Sequence, residues 1–491
     1  MRRLLTAIAA MALLVPTSAT AAPTVDASDI ERVYHDTYGD PNAPGTTPFF
    51  ASGTDLAFDG DYVYAAEQAG SGNTTGGVHI YDVSDPDNPV KLGFVNCPGY
   101  QNDVAVVEPG IIAMGYHSET GRGCRDVPDA SGSSTRSTTG VRLFDVSDPD
   151  NPVALGVSPA LPGGTHTLTV DPTGNFIYAS PGGIANGGGV QQIIDVTNRE
   201  GPFKVHTFKP NEAGCHDFTF FTATDDTPMG VCVGLTESQI WDLTDITAPK
   251  ITSHIVNPLI QFHHTAMVTD DGKTLVIGDE AIGANECVGG PTGAMYSYDI
   301  SNPALPIPQG YFGIDRSHNG APLNSSTAGQ PGSGRDTWCT AHIYNFIPGT
   351  SIMVAVWYSG GLNIIDWSDP TAPREIAHYR TDGADYKSGE ITNYWSGYWH
   401  DGRIYANDRV RGFDALKWTA YEEYVGAGGE TDPESVTAFA RSLPSTPKST
   451  WRSGRFFNTP TAEQALHLAA RPKVGLRDGL ASWACRLTLL D

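Results

Sequence analysis

The sequence lacks the short motifs that mark several common enzyme classes. It contains no G-x-S-x-G nucleophile elbow, no H-E-x-x-H zinc motif, no glycine-rich phosphate loop ahead of a helix and no C-x-x-C pair. Serine hydrolases, zincin-type proteases, nucleotide-dependent enzymes and thiol oxidoreductases therefore lose support.

Basic residues are scarce as well. The chain has 30 Lys and Arg residues against 55 Asp and Glu residues, which gives a net charge of -25 and a pI near 4.8. Nucleic acid and anionic membranes repel such an acidic surface, so neither is an expected partner. Beyond the N-terminus no stretch approaches the roughly 20 apolar residues that a spanning helix needs, and no membrane span is expected.

The N-terminus has the three parts of a secretory signal peptide. Arg2 and Arg3 precede an apolar run at residues 4–15, and the small-residue pattern at residues 19–21 follows. The apolar run is too short to cross a bilayer. The pattern predicts a signal peptide at residues 1–22, cleavage near Ala21 or Ala22, and a secreted, extracellular protein.

Seven cysteines in an exported chain favour disulfide pairing. Order along the chain suggests three pairs, and the middle pair would join two neighbouring strands of one unit. The pairs are Cys97 with Cys124, Cys215 with Cys232, and Cys287 with Cys339, and Cys485 is left alone.

A repeated segment organises most of the chain. Each copy has a strand that ends in Asp, a turn with Ser or Thr and Pro, and another apolar strand, as in VHIYDVSDPDNPV (78–90) and LNIIDWSDPTAPR (362–374). The Asp and Ser side chains cap the turn backbone, and Pro prevents the strand from continuing. The seven strand-ending aspartates are Asp82, Asp145, Asp195, Asp242, Asp299, Asp366 and, in a degenerate copy, Asp414.

A hairpin precedes each of these strands, so each unit has four strands, named A to D from first to last, at a period of about 50 residues. Four-stranded sheets repeated around an axis are β-propeller blades. The sequence therefore predicts an all-β fold, a seven-bladed β-propeller of four-stranded antiparallel blades. A solenoid is the alternative, although its repeats are usually shorter and more regular.

The last blade lacks an outer strand of its own. The segment IERVYHDTY (30–38) near the mature N-terminus is expected to supply that strand and close the ring. The propeller is then expected to span residues 23–425. Residues 426–491 are expected to form a linker and a poorly ordered C-terminal tail.

The apolar strand with its Ser-Asp-Pro-x-x-Pro turn resembles the LVIVD-repeat proteins, which are predicted β-propellers exported by many bacteria. The stretches GCHD, HHTA, GDE, CTAH, VWYSGG and YWSGYW look like a secreted actinobacterial subgroup of that family. The resemblance covers roughly residues 50–425. It implies the fold but no established reaction.

Polar residues recur where strand A starts and strand B ends. Because A and B pair antiparallel, these positions meet at one mouth of the central channel. The A starts carry Asp55, Asp103, His166, His216, His264 and His342, with Asp217 and His263 beside them, and the B ends carry Glu67, His117, Asp279, Glu280 and Asp408. The histidines are therefore expected to face one another.

Imidazoles and carboxylates crowded into one channel suit a divalent transition metal, because the cation offsets their mutual repulsion. Imidazole suits Zn, Cu, Fe and Ni, and carboxylates extend the choice to Mn. The predicted ligands are His216, His264 and His342, with His166 fourth and Glu280 or Asp279 as carboxylate ligand or orienting partner. The alternative is a hydrogen-bonded polar plug with bound water.

Six aromatic residues lie in two adjacent blades, and packing between blades is expected for most of them: Trp357, Tyr358, Tyr394, Trp395, Tyr398 and Trp399. Tyrosine can also donate a proton. Tyr398 is a candidate catalytic residue, together with Asp217, which alternatively orients a metal ligand. Long glycine-rich loops on the same face favour a binding role for it.

Two functions fit this pattern. The first is an exported metal-dependent enzyme, a lyase, hydrolase or oxidase, that acts on an extracellular small molecule or glycan. The alternative is a non-catalytic secreted protein that binds a glycan or a surface protein and whose polar axis is structural. The sequence gives no indication of an oligomeric state.

Overall fold

The computed structural model describes residues 24–38, 51–69, 76–100, 102–116, 118–119, 140–181, 190–209, 214–281, 292–315, 338–382, 392–409, 411–447 and 451–455. Seven antiparallel sheets have at least four strands each, ordered A, B, C, D from the axis outward. The predicted seven-bladed β-propeller is confirmed.

Six blades take four strands each in chain order, and the seventh takes three. The strands are Ala51–Asp59, Tyr62–Ala69, Gly77–Asp82 and Val90–Asn96 in blade 1; Asp103–Glu108, Ile111–Tyr116, Gly140–Asp145 and Val153–Val157 in blade 2; Thr167–Val170, Phe176–Ser180, Gln191–Asp195 and Lys204–Phe208 in blade 3; Asp217–Thr222, Pro228–Gly234, Glu237–Asp242 and Lys250–Ile255 in blade 4; His263–Val268, Thr274–Asp279, Met295–Asp299 and Ile307–Ile314 in blade 5; Tyr344–Phe346, Ile352–Val356, Leu362–Asp366 and Arg374–Asp382 in blade 6; and Tyr394–His400, Arg403–Asp408 and Gly412–Trp418 in blade 7. A small additional sheet pairs Gly99–Tyr100 with Ser118–Glu119.

The blades form a closed ring. The A strands of successive blades contact one another, and strand A of blade 7 contacts strand A of blade 1. Side chains alternate between the two faces of each strand, so every blade presents apolar residues to both neighbours. Each junction between adjacent blades has its own buried hydrophobic cluster.

The aspartate that ends strand C caps the following turn in six blades. Asp82 Oδ1 accepts the backbone amide of Ser84 at 2.8 Å. Equivalent bonds are made by Asp145, Asp195, Asp242, Asp299 and Asp366. In blade 7, Asp414 lies inside strand C and instead binds Arg411 at 2.8 Å and His35 at 2.6 Å.

The N-terminal segment closes the ring, as predicted. Ile30–Asp36 pairs antiparallel with strand C of blade 7 and becomes its strand D. The preceding strand, Thr24–Ser28, was not predicted, and it pairs with strand D of blade 6. Two consecutive strands therefore bind adjacent blades across one junction.

Part of the C-terminal tail packs on the propeller, which differs from the expectation of poor order. Helix α1 (Thr419–Gly426) follows blade 7, and the apolar side of helix α2 (Pro433–Ser442) packs on the cluster between blades 6 and 7. Strand Trp451–Arg455 pairs with the edge strand of blade 5, with Trp451 fully buried. Residues 456–491 lie outside the described residues.

The predicted Cys215–Cys232 disulfide is confirmed, and it joins the segment before strand A of blade 4 to strand B. Cys97 and Cys339 are also disulfide-bonded. Their predicted partners, Cys124 and Cys287, lie outside the described residues, so these two pairings stay predictions.

The predicted signal peptide, residues 1–22, also lies outside the described residues. Within the described part of the chain, no helix combines the length and the apolar character needed to cross a membrane.

Candidate metal centre

Four histidines form a row at the mouth of the channel. They lie at or just before strand A of blades 3, 4, 5 and 6, and all four are buried. Ring centroids are 4.6 Å apart for His166 and His216, 4.4 Å for His216 and His264, and 4.4 Å for His264 and His342. The structure therefore brings together the histidines that the repeat placed at equivalent positions.

Three ligand atoms converge at one end of this row. Nε2 of His264 lies 3.3 Å from Oε2 of Glu280, and Nε2 of His342 lies 4.0 Å from Oε1 of the same carboxylate. One ligand atom of each residue lies within 4.8 Å of the others. Glu280 directly follows strand B of blade 5, and the two histidines belong to blades 5 and 6, so two adjacent blades build the group.

A backbone carbonyl determines which nitrogen of His342 faces Glu280. Nδ1 of His342 lies 2.5 Å from the carbonyl oxygen of Trp395, in blade 7. A carbonyl oxygen only accepts hydrogen bonds, so Nδ1 carries the proton of the neutral ring. Nε2 of His342 is then a bare lone pair, as a metal ligand requires.

A hydroxyl group orients His264 in the same way. Oγ1 of Thr265 lies 2.9 Å from Nδ1 of His264 and also bonds the carboxyl group of Asp217. The Thr265 hydroxyl can therefore accept the Nδ1 proton of His264 while it donates its own proton to Asp217. The sequence offered Asp217 as an orienting residue, and in the structure its bond to the ligand runs through Thr265.

Burial keeps both imidazoles neutral. It lowers the pKa of His264 to about 3 and the pKa of His342 well below its usual range, with charges on His264 and Arg409 lowering the latter further. The bare Nε2 atoms therefore face the Glu280 carboxyl group across short distances. A divalent cation between these atoms would be bound by all three groups.

Two aromatic side chains and one arginine surround this group. The Tyr358 hydroxyl donates to Oε1 of Glu280 at 2.7 Å, and its ring centroid lies 4.3 Å from that of His342. The Trp395 centroid lies 4.6 Å from His342. The guanidinium carbon of Arg409 lies 5.5 Å from the centroids of both aromatic rings, which is a cation–π arrangement.

Asp279 has a different role from the one proposed for it in the ligand set. Its Oδ1 accepts the backbone amides of Gln261 and Phe262 at 2.9 and 3.0 Å, and its Oδ2 accepts the amide of Gly293 at 2.9 Å. These bonds occupy both oxygens and hold two loops beside Glu280. Burial raises the pKa of Asp279 to about 6. The metal-ligand group takes Glu280 and leaves out Asp279.

A cavity of about 430 Å³ occupies the channel. His166, His264 and His342 line it, together with the two residues predicted to be catalytic, Asp217 and Tyr398. The space is large enough for a small organic molecule. The histidine row therefore borders a site that a substrate could enter.

One buried and two half-buried carboxyl groups also line this cavity. The side chains of Asp55 and Asp103 are hydrogen-bonded to each other, which requires a proton on one of them, and the Tyr398 hydroxyl donates to Asp55 at 2.5 Å. Burial raises the pKa of Asp55, raises that of Asp103 well above its usual range, and raises that of Asp217 to about 7. Tyr398 is thus bonded to a carboxyl group, and burial raises its own pKa well above the usual range.

The remaining candidate residues lie outside the group of three. His166 and His216 belong to the row but not to the metal-ligand group. Glu67 binds His79 at 2.9 Å instead. His117 lies outside the described residues.

Of the six aromatic candidates, Tyr358 and Trp395 contact His342. The others pack within and between blades or bond elsewhere, as expected for most of the set: Trp357, Tyr394, Tyr398 and Trp399. Sequence reasoning missed Thr265 and Arg409. Both residues could have been found as sequence neighbours of candidates, because Thr265 directly follows His264 and Arg409 directly follows Asp408.

Two family models match the chain. Residues 78–168 match a model described as Beta propeller domain, and residues 352–381 match the LVIVD repeat. These matches support an LVIVD-repeat β-propeller. They agree with the resemblance carried by the repeated turns. No curated protein matches the chain at the sequence level.

Several solved structures share the fold at low sequence identity. The periplasmic gluconolactonase PpgL of Pseudomonas aeruginosa is 12% identical, with a TM-score of 0.47 over 67% of this chain and 85% of that chain. The computationally designed Ika8 protein is 10% identical, with a TM-score of 0.42 over 75% of this chain and 96% of that chain. A protein from Lactobacillus plantarum is also 10% identical, with a TM-score of 0.45 over 64% of this chain and 80% of that chain. Similarity at this level carries no argument about function.

Proposed function

We propose that this chain is an exported metal-dependent enzyme with its active site at the histidine-lined mouth of the propeller. The observation that carries the proposal is the convergence of Nε2 of His264, Nε2 of His342 and the Glu280 carboxylate. Both histidines have the opposite ring nitrogen bonded to a group that accepts its proton. Histidines that bind metals usually donate the other ring N–H to such an acceptor, which fixes the tautomer and the ring orientation.

The ligand set suits a catalytic site better than a structural one. Structural zinc sites are closed by four protein ligands, whereas catalytic sites have three and keep a position open for water or substrate. Two histidines and one carboxylate also serve non-haem iron. A metal at this position would polarise a substrate oxygen or lower the pKa of a bound water.

Proton transfer in such a site requires groups that hold a proton near neutral pH. The hydrogen-bonded pair of Asp55 and Asp103 retains one proton because both carboxyl groups are buried together. Asp217, with a pKa of about 7, is a second candidate in the same cavity. These carboxyl groups support hydrolysis or elimination on a small extracellular substrate.

The direct test is the metal content of untagged protein recovered from the culture medium. The proposal predicts one transition metal per chain, a lower thermal midpoint after chelation, and loss of the metal in Glu280→Gln. Glu67→Gln is the matched control, because Glu67 is a buried carboxylate bonded to a histidine but lies outside the metal-ligand group. It should retain the metal.

Wild-type protein that contains no metal, binds none of Zn, Mn, Fe and Cu, and is unaffected by chelator would contradict the proposal. The row of histidines would then be a polar plug in a secreted binding protein. Stoichiometric metal with no turnover of carboxylated glycans or small esters would also favour a binding protein.

A further inference from the structure

Arg409 carries a positive charge next to the candidate metal centre, and no other described side chain neutralises it. It directly follows strand B of blade 7 and is half-buried. Its Nε atom is buried and has no hydrogen-bond partner within the described part of the chain. Arg411, two residues later, shows the ordinary arrangement, since it pairs with Asp414 at 2.8 Å.

Aromatic rings hold the Arg409 guanidinium in a fixed place. Its central carbon lies 5.5 Å from the ring centroids of Tyr358 and Trp395. The same two rings contact His342, at 4.3 and 4.6 Å between centroids. The guanidinium and the candidate metal ligand therefore share two neighbours, and a guanidinium that packs on aromatic rings can still donate hydrogen bonds to an acceptor.

A guanidinium that has no acidic partner among the described residues is unusual in a chain with a net charge of -25. Aromatic contacts compensate only part of the cost of removing a charge from water. A bound anion would supply the missing acceptors, because guanidinium groups bind carboxylates through two parallel hydrogen bonds.

The neighbouring charges favour a carboxylate over a phosphate. Arg409 is one cation, and Glu280, which is bonded to the neighbouring Tyr358, would repel a dianion more strongly than a monoanion. A carboxylate carries one negative charge and matches one guanidinium in geometry.

We propose that Arg409 binds the carboxylate of a small substrate and so directs another oxygen of that substrate toward His264, His342 and Glu280. This inference rests on the proposed function. It narrows the substrate class to carboxylate-bearing small molecules, including acidic sugars.

The test is calorimetric titration of the full exported chain, first with Zn²⁺ or Mn²⁺ and then, on the metal-loaded protein, with paired probes. Acetate is compared with acetamide, D-glucuronate with D-glucose, and inorganic phosphate is included. The variants are Arg409→Gln and Arg409→Lys. Arg199→Gln is the control, because Arg199 lies away from the site and its Nε is 3.0 Å from Oε1 of Glu108.

The expected result is that wild type binds at least one carboxylate and not its neutral partner, and that Arg409→Gln weakens this binding about 10- to 100-fold. Arg409→Lys should weaken it less, because the charge remains but the paired hydrogen bonds are lost. Both variants should still bind the metal, because Arg409 is not a ligand, and Arg199→Gln should behave as wild type.

Three outcomes would overturn the inference while leaving the metal centre intact. The metal-loaded wild type binds no carboxylate, or Arg409→Gln binds carboxylates as tightly as wild type does. The third outcome is that phosphate binds more tightly than every carboxylate. A thermal midpoint lowered in Arg409→Gln, with unchanged carboxylate affinity, would show a purely structural arginine. If no metal binds, the metal-dependent function is refuted, and the same titrations are made on the metal-free protein. Carboxylate binding that depends on Arg409 would then still support the anion site.

Discussion

Nδ1 of His264 lies 2.9 Å from the hydroxyl oxygen of Thr265. Because the same hydroxyl also bonds Asp217, it can accept the Nδ1 proton while donating its own. The relay leaves Nε2 of His264 bare and directed at Glu280. A residue without charge or metal-binding capacity therefore fixes the protonation of a candidate ligand.

Thr265→Val should weaken metal binding without removing a ligand. Valine has nearly the same shape but no hydroxyl group, so His264 loses the acceptor for its Nδ1 proton. Loss of an outer-shell partner of this kind typically costs about 10- to 100-fold in metal affinity. Thr265→Ser retains the hydroxyl and should bind metal as wild type does. Competition titration with a chromogenic chelator measures both, and equal affinities for the two variants would contradict the relay.

The histidines should differ in importance despite their similar positions in the sequence. His264→Ala and His342→Ala each remove a converging ligand atom and should lose more affinity than the roughly 100-fold limit for outer-shell changes. His166→Ala, at the other end of the row, should cost less than tenfold. Chelator competition ranks the three variants. A loss in His166→Ala equal to that in His264→Ala would show that the site is centred elsewhere in the row.

The contribution of Asp217 to the stability of the metal-free protein should fall as pH rises from about 4 to 7. The pKa of Asp217 is raised by burial to about 7, so the folded protein keeps a proton that the unfolded chain has lost in this window. The stabilisation is fully present below the unfolded pKa near 4 and disappears as pH passes 7. A difference of about three between the pKa of Asp217 in the folded and unfolded chain corresponds to at most about 4 kcal/mol of stability.

Thermal unfolding in EDTA at a series of pH values measures this effect. Asp217→Asn should flatten the slope between pH 4.5 and 7, whereas Asp225→Asn, at an exposed turn, should leave the slope in that window unchanged. A slope in Asp217→Asn equal to that of the metal-free wild type would contradict the assignment.

Asp414 should be essential for closing the ring. Although burial raises its pKa, Arg411 and His35 outweigh that effect and lower the pKa to about 2. His35 belongs to the N-terminal strand and Arg411 to blade 7, so the carboxylate joins both sides of the closure. Asp414→Asn leaves the buried Arg411 without its counter-ion and should cost about 3–5 kcal/mol.

A matched control lies on the same pair of strands. Lys417 and Glu31 form a partly exposed ion pair at 3.0 Å, and Glu31→Gln should cost less than about 1 kcal/mol. Chemical denaturation followed by tryptophan fluorescence compares the two variants. Similar small losses in both would show that the buried network does not hold the closure.

The repeat explains why the fold could be predicted from the sequence. A strand-ending aspartate and a proline turn recur about every 50 residues, and antiparallel pairing then fixes which residues meet at the channel mouth. The same logic located His216, His264 and His342 and the missing outer strand of blade 7. Strands Thr24–Ser28 and Trp451–Arg455 could not be found in this way, because they pair with edges distant in sequence and follow no repeat.

The site could be predicted only in part. Asp279 and Glu280 are adjacent, and only the loop geometry shows that Asp279 is occupied by three backbone amides while Glu280 faces the histidines. The partner of His342 is a backbone carbonyl at Trp395, which has no sequence signal. Arg409 meets Tyr358 across the junction between blades 6 and 7, so neither spacing nor periodicity indicates the contact.

The most direct measurement is an anomalous difference map, recorded at the zinc absorption edge from crystals of the protein equilibrated with Zn²⁺. The account predicts one strong peak about 2.0–2.2 Å from Nε2 of His264, Nε2 of His342 and an oxygen of Glu280. The absence of a peak there, or a peak among Asp55, Asp103 and Asp217 instead, would contradict it.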